Sequence, residues 1–140
     1  MILIGDCNGV DMFATKERLN KIIHDCLCDG LHYFGGYGID IGYDKEEYKK
    51  AKEQLVSKEK TDVCFEDVIM RILINGGELK FTDVEGDGDN DSSLRLTEET
   101  YNKFRKIPND RLLNVIKEEY DADDADVVVQ TLVYGEILFG

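Results

Sequence analysis

Tyr37-Gly38-Ile39-Asp40-Ile41-Gly42-Tyr43 sets bulky residues at every second position against small or polar ones. A side-chain period of two belongs to a strand with one buried face, so this stretch predicts a strand over 37–43. Directly after it, Asp44 with Glu47 reads as a capping box that opens a lysine-rich helix, with Tyr48, Ala51 and Leu55 turned to the core. Before it, Leu19, Ile22, Ile23, Cys26 and Leu27 fall at helical spacing behind Thr15 as N-cap, and Asp29-Gly30 supplies a stop. Strand and helices therefore alternate within the first half of the chain.

Asn8-Gly9 between Ile2-Leu3-Ile4 and Val10-Asp11-Met12-Phe13 predicts an opening hairpin, because that dipeptide supplies the positive φ angles of a tight turn. Phe65, Val68, Ile69, Ile72 and Leu73 mark a further helix, stopped by Asn75-Gly76-Gly77. Leu79–Val84 and Ser93–Leu96 read as two short strands joined by an acidic turn. Thr97 then caps a helix carrying Tyr101 and Phe104. Pro108 separates it from an amphipathic helix of Leu112, Leu113, Ile116 and Tyr120 that ends near Glu119. From Asp121 onward, Val127-Val128-Val129 favours a strand, but Ala122, Ala125, Val129 and Leu132 trace a helical stripe with acids in its first turn; a helix is expected. No repeat or linker divides the sequence. The expectation is one α+β domain over 1–140, a small, mostly antiparallel sheet packed with about five helices.

The 140 residues carry a formal charge of −13, and residues 83–140 hold 15 acids against 6 bases. Such a surface repels phosphates and anionic lipid, which argues against direct nucleic-acid or membrane binding and for a basic partner. No apolar run is long enough to span a bilayer, and Met1-Ile2-Leu3-Ile4 is too short for a signal-peptide core, so a cytoplasmic protein is expected. Cys7, Cys26, Cys28 and Cys64 would then be reduced. His24-x-Cys26-x-Cys28 suggests a metal cluster, but on a helix the two cysteines project about 200° apart, so they read as small buried hydrophobes. With two histidines and no nucleophile motif, an enzyme is not expected.

Two acidic clusters are the candidate sites. The first is Asp83-Val84-Glu85-Gly86-Asp87-Gly88-Asp89-Asn90-Asp91, in which Asp87, Asp89, Asp91 and Glu98 stand at the spacing of an EF-hand calcium loop. Ser92 replaces the glycine that such a loop needs for its sharp turn, so a weak calcium site is the alternative to a solvated or protein-contacting patch; no other cofactor is implied. The second cluster is Glu118, Glu119, Asp121, Asp123, Asp124 and Asp126. Part of it suits helix capping, and the rest could imitate DNA phosphates in a basic groove. A third candidate is the aromatic group Tyr33, Phe34, Tyr37 and Tyr43 among glycines, which could stack a nucleobase but reads first as core packing.

Asp121-Ala122-Asp123-Asp124-Ala125-Asp126-Val127-Val128-Val129-Gln130 and the segment Tyr134-Gly135-Glu136-Ile137-Leu138-Phe139-Gly140 resemble a group of small acidic proteins carried by phages and mobile elements of gut Firmicutes. Gly30-Leu31-His32-Tyr33-Phe34 and the stretch Gly76–Glu85 resemble segments of the same group. The resemblance implies a setting in which small acidic proteins disarm host immunity, as anti-CRISPR proteins do in the nucleic-acid channel of Cas9. The expected function is therefore a non-enzymatic inhibitor of a host defence nuclease, acting in the bacterial cytoplasm. Its partner-binding residues would be Glu85, Asp87, Asp89 and Asp91 together with Glu118, Glu119, Asp121, Asp123, Asp124 and Asp126. A small-ligand binder, holding calcium at 87–98 or a nucleotide near Tyr33 and Tyr37, is the rival.

Overall fold

The computed structural model describes residues 1–57, 62–86, 88 and 90–140. The described residues form an α+β fold with seven helices and two antiparallel sheets of two and three strands. In chain order these are β1 (Ile2–Cys7), β2 (Val10–Ala14), α1 (Lys16–Gly30), α2 (Tyr33–Gly36), β3 (Ile39–Gly42), α3 (Lys45–Leu55), α4 (Phe65–Ile74), β4 (Leu79–Asp83), β5 (Ser92–Leu94), α5 (Glu98–Asn102), α6 (Asn109–Ile116) and α7 (Ala122–Tyr134). A 3-10 turn, Lys103–Lys106, follows α5. The chain packs as two compact units, one of Met1–Tyr37 with Thr97–Gly140 and the other of Gly38–Leu96. The first unit carries 15 acids against 8 bases and the second 15 against 9, so both units share the acidity.

In the first unit, β1 and β2 form the expected hairpin, with Cys7 opposite Val10. Asn8 and Gly9 take φ of 55° and 83°, the left-handed pair of a tight turn, and the Asp6 carboxylate accepts the Gly9 N–H at 2.7 Å. Thr15 caps α1 by accepting from Arg18 N–H. Leu19, Ile22, Ile23, Cys26 and Leu27 are its buried stripe, and Ala125, Val128, Val129, Leu132 and Val133 are that of α7. These two helices make the most extensive helix pairing of the unit. Each fully buried Leu, Ile or Val there contributes roughly 1.5–3 kcal/mol.

Helix α1 ends at Gly30 as expected, but without a left-handed turn there. Leu31 continues in right-handed conformation at φ −64°. The lack of a side chain at Gly30 serves packing, because a Cβ there would lie 2.7 Å from Asp126 N and 2.8 Å from Ala125 C. The left-handed turn comes later, at Gly38 with φ 77°. The predicted strand is shortened for the same reason. Tyr37 lies just past α2, its N–H directed at the Tyr33 and Phe34 carbonyls, and β3 begins only at Ile39. Helix α6 ends at Ile116, three residues before the predicted end at Glu119. Glu118 there adopts φ 60°, while the Glu118 and Glu119 N–H groups bond the Val115 and Asn114 carbonyls.

In the second unit, β3, β4 and β5 pair antiparallel in that order, with Ile41 opposite Phe81 and Leu79 opposite Leu94. Ile39, Leu79, Phe81 and Leu94 are buried, whereas Tyr43 is 37% exposed, so the alternation that marks the strand fades at its end. Asp44 caps α3 by accepting from the N–H groups of Glu46 and Glu47. Ala51, Val68 and Ile72 form the α3–α4 core, flanked by Tyr48, Leu55 and Val63. The stop after α4 is as expected, with Gly76 at φ 92°. Of the cysteines Cys26 is buried as expected, whereas Cys28 is half-buried, which corrects the reading of it as a core residue; Cys7 is half-buried and Cys64 exposed.

Gly30→Ala decides whether the α1–α7 approach governs stability. In an open helix interior the change would favour folding by up to about 1 kcal/mol, but here the new Cβ meets backbone that cannot swing away. The expected outcome is a net loss of about 1–3 kcal/mol in urea unfolding with an unchanged m-value.

Candidate functional site

The acids of the 118–126 run meet three different fates. Asp121 is the N-cap of α7, accepting from Asp124 N–H at 2.8 Å, while the Asp124 carboxylate returns the bond to Asp121 N–H at 3.1 Å. Asp124 is 3% exposed and also holds Arg111 Nη1 at 2.6 Å and Asn114 Nδ2 at 3.3 Å. Asp126 is 6% exposed, and its Oδ2 accepts from the Tyr37 hydroxyl at 2.6 Å and from Gln130 Nε2 at 2.9 Å. These two carboxylates face the interior, so the expectation that Asp124 and Asp126 contact a partner is corrected: they project from opposite sides of α7, but that helix is enclosed around most of its circumference, and both serve the fold.

Glu118, Glu119, Asp121 and Asp123 are exposed. They lie on backbone fixed by neighbouring contacts. Glu118 occupies the left-handed turn after α6 and comes within 3.7 Å of Lys21 Nζ. Asp121 is tied by the capping box, and Asp123 accepts from the Tyr33 hydroxyl at 3.2 Å. Asp29 receives the Tyr120 hydroxyl at 2.7 Å, and Asp25 pairs with Lys21 at 2.8 Å. The bond to Asp123 raises the pKa of Tyr33, and burial followed by the Asp29 bond raises that of Tyr120. Both phenols therefore stay protonated donors. This pairing of tyrosines with acids, and the reach of Arg111 to Asp124, had no signature in the sequence, because the partners are 13 to 91 positions apart.

Burial alone pushes the Asp124 carboxyl up, but Arg111, the Asp121 N–H and Asn114 outweigh it and hold the pKa below the ordinary value. At Asp126 burial wins: the bonds from Tyr37 and Gln130 oppose it, Asp123 adds repulsion, and the pKa is raised. Two carboxyls two residues apart thus titrate in opposite directions.

In the acidic turn of the second unit, Asp83 organises the chain. Its Oδ1 accepts from Glu85 N at 3.2 Å and Gly86 N at 2.8 Å, and its Oδ2 from Asn90 Nδ2 at 3.1 Å. Asp91 Oδ1 in turn accepts from Asp83 N at 2.7 Å. Glu85 and Asp91 are exposed, but one oxygen of Asp91 is committed to the turn. Asp87 and Asp89, expected both as partner contacts and as calcium ligands, lie outside the described residues. Glu98, the remaining calcium candidate, stands in the first turn of α5 in the other unit. Among the described residues no group of three or more His, Cys, Asp or Glu is placed to hold a metal ion.

The aromatic candidates are largely spent on internal packing. Phe34 is fully buried, and Tyr37 stacks on Phe139 with centroids 4.8 Å apart and planes at 11°. The ring that was to receive a nucleobase near Tyr33 and Tyr37 is thus already matched to a side chain of this protein. Tyr43 stacks on Tyr48 at 4.7 Å in the second unit. A mixed-charge cleft of about 580 Å³ opens beside it, with Lys45, Lys80, Arg95, Glu46, Glu47 and Glu78 among its walls. Arg95 is engaged there with Glu78 at 3.3 Å and with the Gly76 carbonyl. No helix among the described residues is long and apolar enough to cross a membrane. No family model, curated protein or solved structure matches the chain.

The internal role of Asp124 has a pH signature. A carboxyl whose folded pKa is depressed contributes stability above its unfolded pKa and loses it as pH falls through the folded value. Asp124→Ala should therefore cost about 2 kcal/mol at neutral pH, from a lost cap and a lost ion pair with a partly exposed arginine. The deficit should shrink as pH falls through the Asp124 pKa, when the wild-type carboxylate is itself neutralised. Chemical unfolding of both proteins across the acid range measures it.

Proposed function

We propose that the protein is a non-enzymatic binding module that presents the exposed carboxylates Glu118, Glu119, Asp121 and Asp123 to a basic protein surface. The observation that carries this reading is that these four acids are solvent-facing while their backbone is fixed by a capping box, a left-handed turn and the Tyr33 hydroxyl. Preorganised charge loses little freedom on docking, and it raises association rates and rejects wrongly charged partners. Phosphates along a nucleic acid present a comparable row of anions, so a basic nucleic-acid groove is the partner surface this chemistry fits. In the setting that the sequence resemblance implies, such a groove belongs to a host defence nuclease of the Cas9 kind, and occupying it inhibits the enzyme. Glu85 and Asp91 offer a second, smaller set of exposed acids in the other unit.

The test uses purified Cas9 and the triple variant Glu118→Lys, Glu119→Lys, Asp123→Asn, which leaves the cap residue Asp121 and an acceptor for Tyr33 in place. Wild type should bind in low salt and weaken as salt rises, because exposed charge pairs are screened. The variant should bind about tenfold or more weakly while its thermal unfolding stays close to wild type, as surface substitutions alter stability by only about 0.5 kcal/mol. Undiminished affinity in the folded variant rejects the ridge as the contact. Absence of Cas9 binding by wild type rejects that partner and directs the same comparison to proteins captured from cells expressing other defence nucleases.

A further inference from the structure

Segment 136–140 turns back from α7 at Gly135, whose φ of 78° makes the reversal, and docks onto the helix it has just left. One side chain holds it. Gln130 Oε1 accepts the N–H groups of Leu138 and Phe139, each at 2.9 Å, and Gln130 Nε2 donates to the Phe139 carbonyl at 3.2 Å. The same Nε2 donates to Asp126 Oδ2 at 2.9 Å, so the carboxamide that grips the segment also grips the acid. The Phe139 ring stacks on Tyr37 and meets Tyr134 nearly edge-on at 6.1 Å. The Tyr37 hydroxyl donates to Asp126 at 2.6 Å, and a Cβ at Gly140 would lie 3.6 Å from that hydroxyl. Asp126 Oδ1, meanwhile, is buried and has no hydrogen-bond partner among the described residues.

From this geometry we propose that segment 136–140 is a proton-linked strap, docked over Asp126 while the carboxyl is neutral and released when it ionises. An ionised carboxylate needs donors at both oxygens or contact with solvent, and Oδ1 is buried with no donor among the described residues while the strap is docked. Releasing the strap frees the Gln130 carboxamide, uncovers the Tyr37 ring and gives water a path to the charge. The groups that face Asp126 set the balance. His32 on the 32–37 side favours the charged form and Asp123 on α7 opposes it, Tyr37 and Gln130 contribute neutral donors, and the strap's one titratable side chain, Glu136, is exposed. The raised pKa of Asp126 is the thermodynamic counterpart: whatever the docked strap does to proton binding, proton binding must do to the strap. A group with a raised folded pKa contributes stability below its unfolded pKa and loses it as pH rises through the folded value, so docking should weaken on the alkaline side.

The experiment is NMR on the full chain, reading the Asp126 carboxyl carbon shift and the amide exchange protection of Leu138 and Phe139, corrected for intrinsic exchange, as pH is raised. In wild type, protection should fall through the same pH range in which Asp126 titrates. The fall should be roughly tenfold for each unit by which the Asp126 pKa differs between the docked and released strap. Asp126→Asn should make protection independent of pH. Phe139→Ala, which removes the stack without touching the carboxyl, should move the Asp126 titration midpoint down towards the ordinary aspartate value. Should Asp126→Asn fail to fold, the Phe139→Ala midpoint decides alone. Protection that does not vary with pH in wild type, or an Asp126 midpoint unchanged by Phe139→Ala, overturns the proposal.

Discussion

The first unit depends on the place where α1 meets α7, at a residue with no side chain. Gly30 brings the end of α1 against the backbone of Ala125 and Asp126 at distances that would exclude even a methyl group. Everything that gives this end of the unit its chemistry follows from that approach. The chain leaving α1 continues at once into α2, and so Tyr33 and Tyr37 come to lie over the first turns of α7, within hydrogen-bond reach of Asp123 and Asp126. A side chain in place of Gly30 would separate the two helices, and the tyrosines would lose the acids they bind.

Helical geometry then sorts the carboxylates of α7. Asp121 and Asp124 belong to the capping box, where free N–H groups of the first turn need acceptors. Asp123 points to solvent. Asp126 lies one turn before Gln130 on the buried face, and its position there has a cost that the surroundings only partly offset. The contrast between Asp124 and Asp126 shows that burial alone does not set the charge of a carboxyl. Both are nearly inaccessible, but Asp124 has a guanidinium and a backbone donor, whereas Asp126 has a phenol, an amide and one oxygen without a donor among the described residues. Stability at this end of the unit therefore responds to pH in two opposed ways, and a density of acid that looks uniform in the sequence acts as several separate devices.

The ridge that remains exposed is smaller than the charge pattern suggested. Of the ten acids singled out from composition, two are inside and two lie outside the described residues. What the ridge has instead of number is definition, because the turn at Glu118, the cap at Asp121 and the Tyr33 bond fix the directions from which the carboxylates project. Rigid projection matters more to a docking surface than the count of charges, since each loose side chain must be ordered on binding.

Local features were legible. The Asn8-Gly9 hairpin, the Thr15 and Asp44 caps, the Gly76 stop and the helix begun at Asp121 all depend on interactions within four or five residues, and the sequence contains both partners of each. The α+β class followed from them. The fate of individual acids was not legible, because it depends on which helix packs against which, and residues such as Tyr120 and Asp29 meet only after α1 and α7 have come together. Gly30 is the plainest case. In sequence, a glycine after a helical stripe reads as a stop, since glycine enters left-handed conformations freely; in the fold it stays right-handed and is needed for its missing side chain. The sequence by itself determined where backbone could turn and cap, because those choices are settled by neighbours along the chain. Only the tertiary structure decided which carboxylates are buried, paired or exposed, because that depends on the distances between elements far apart in sequence.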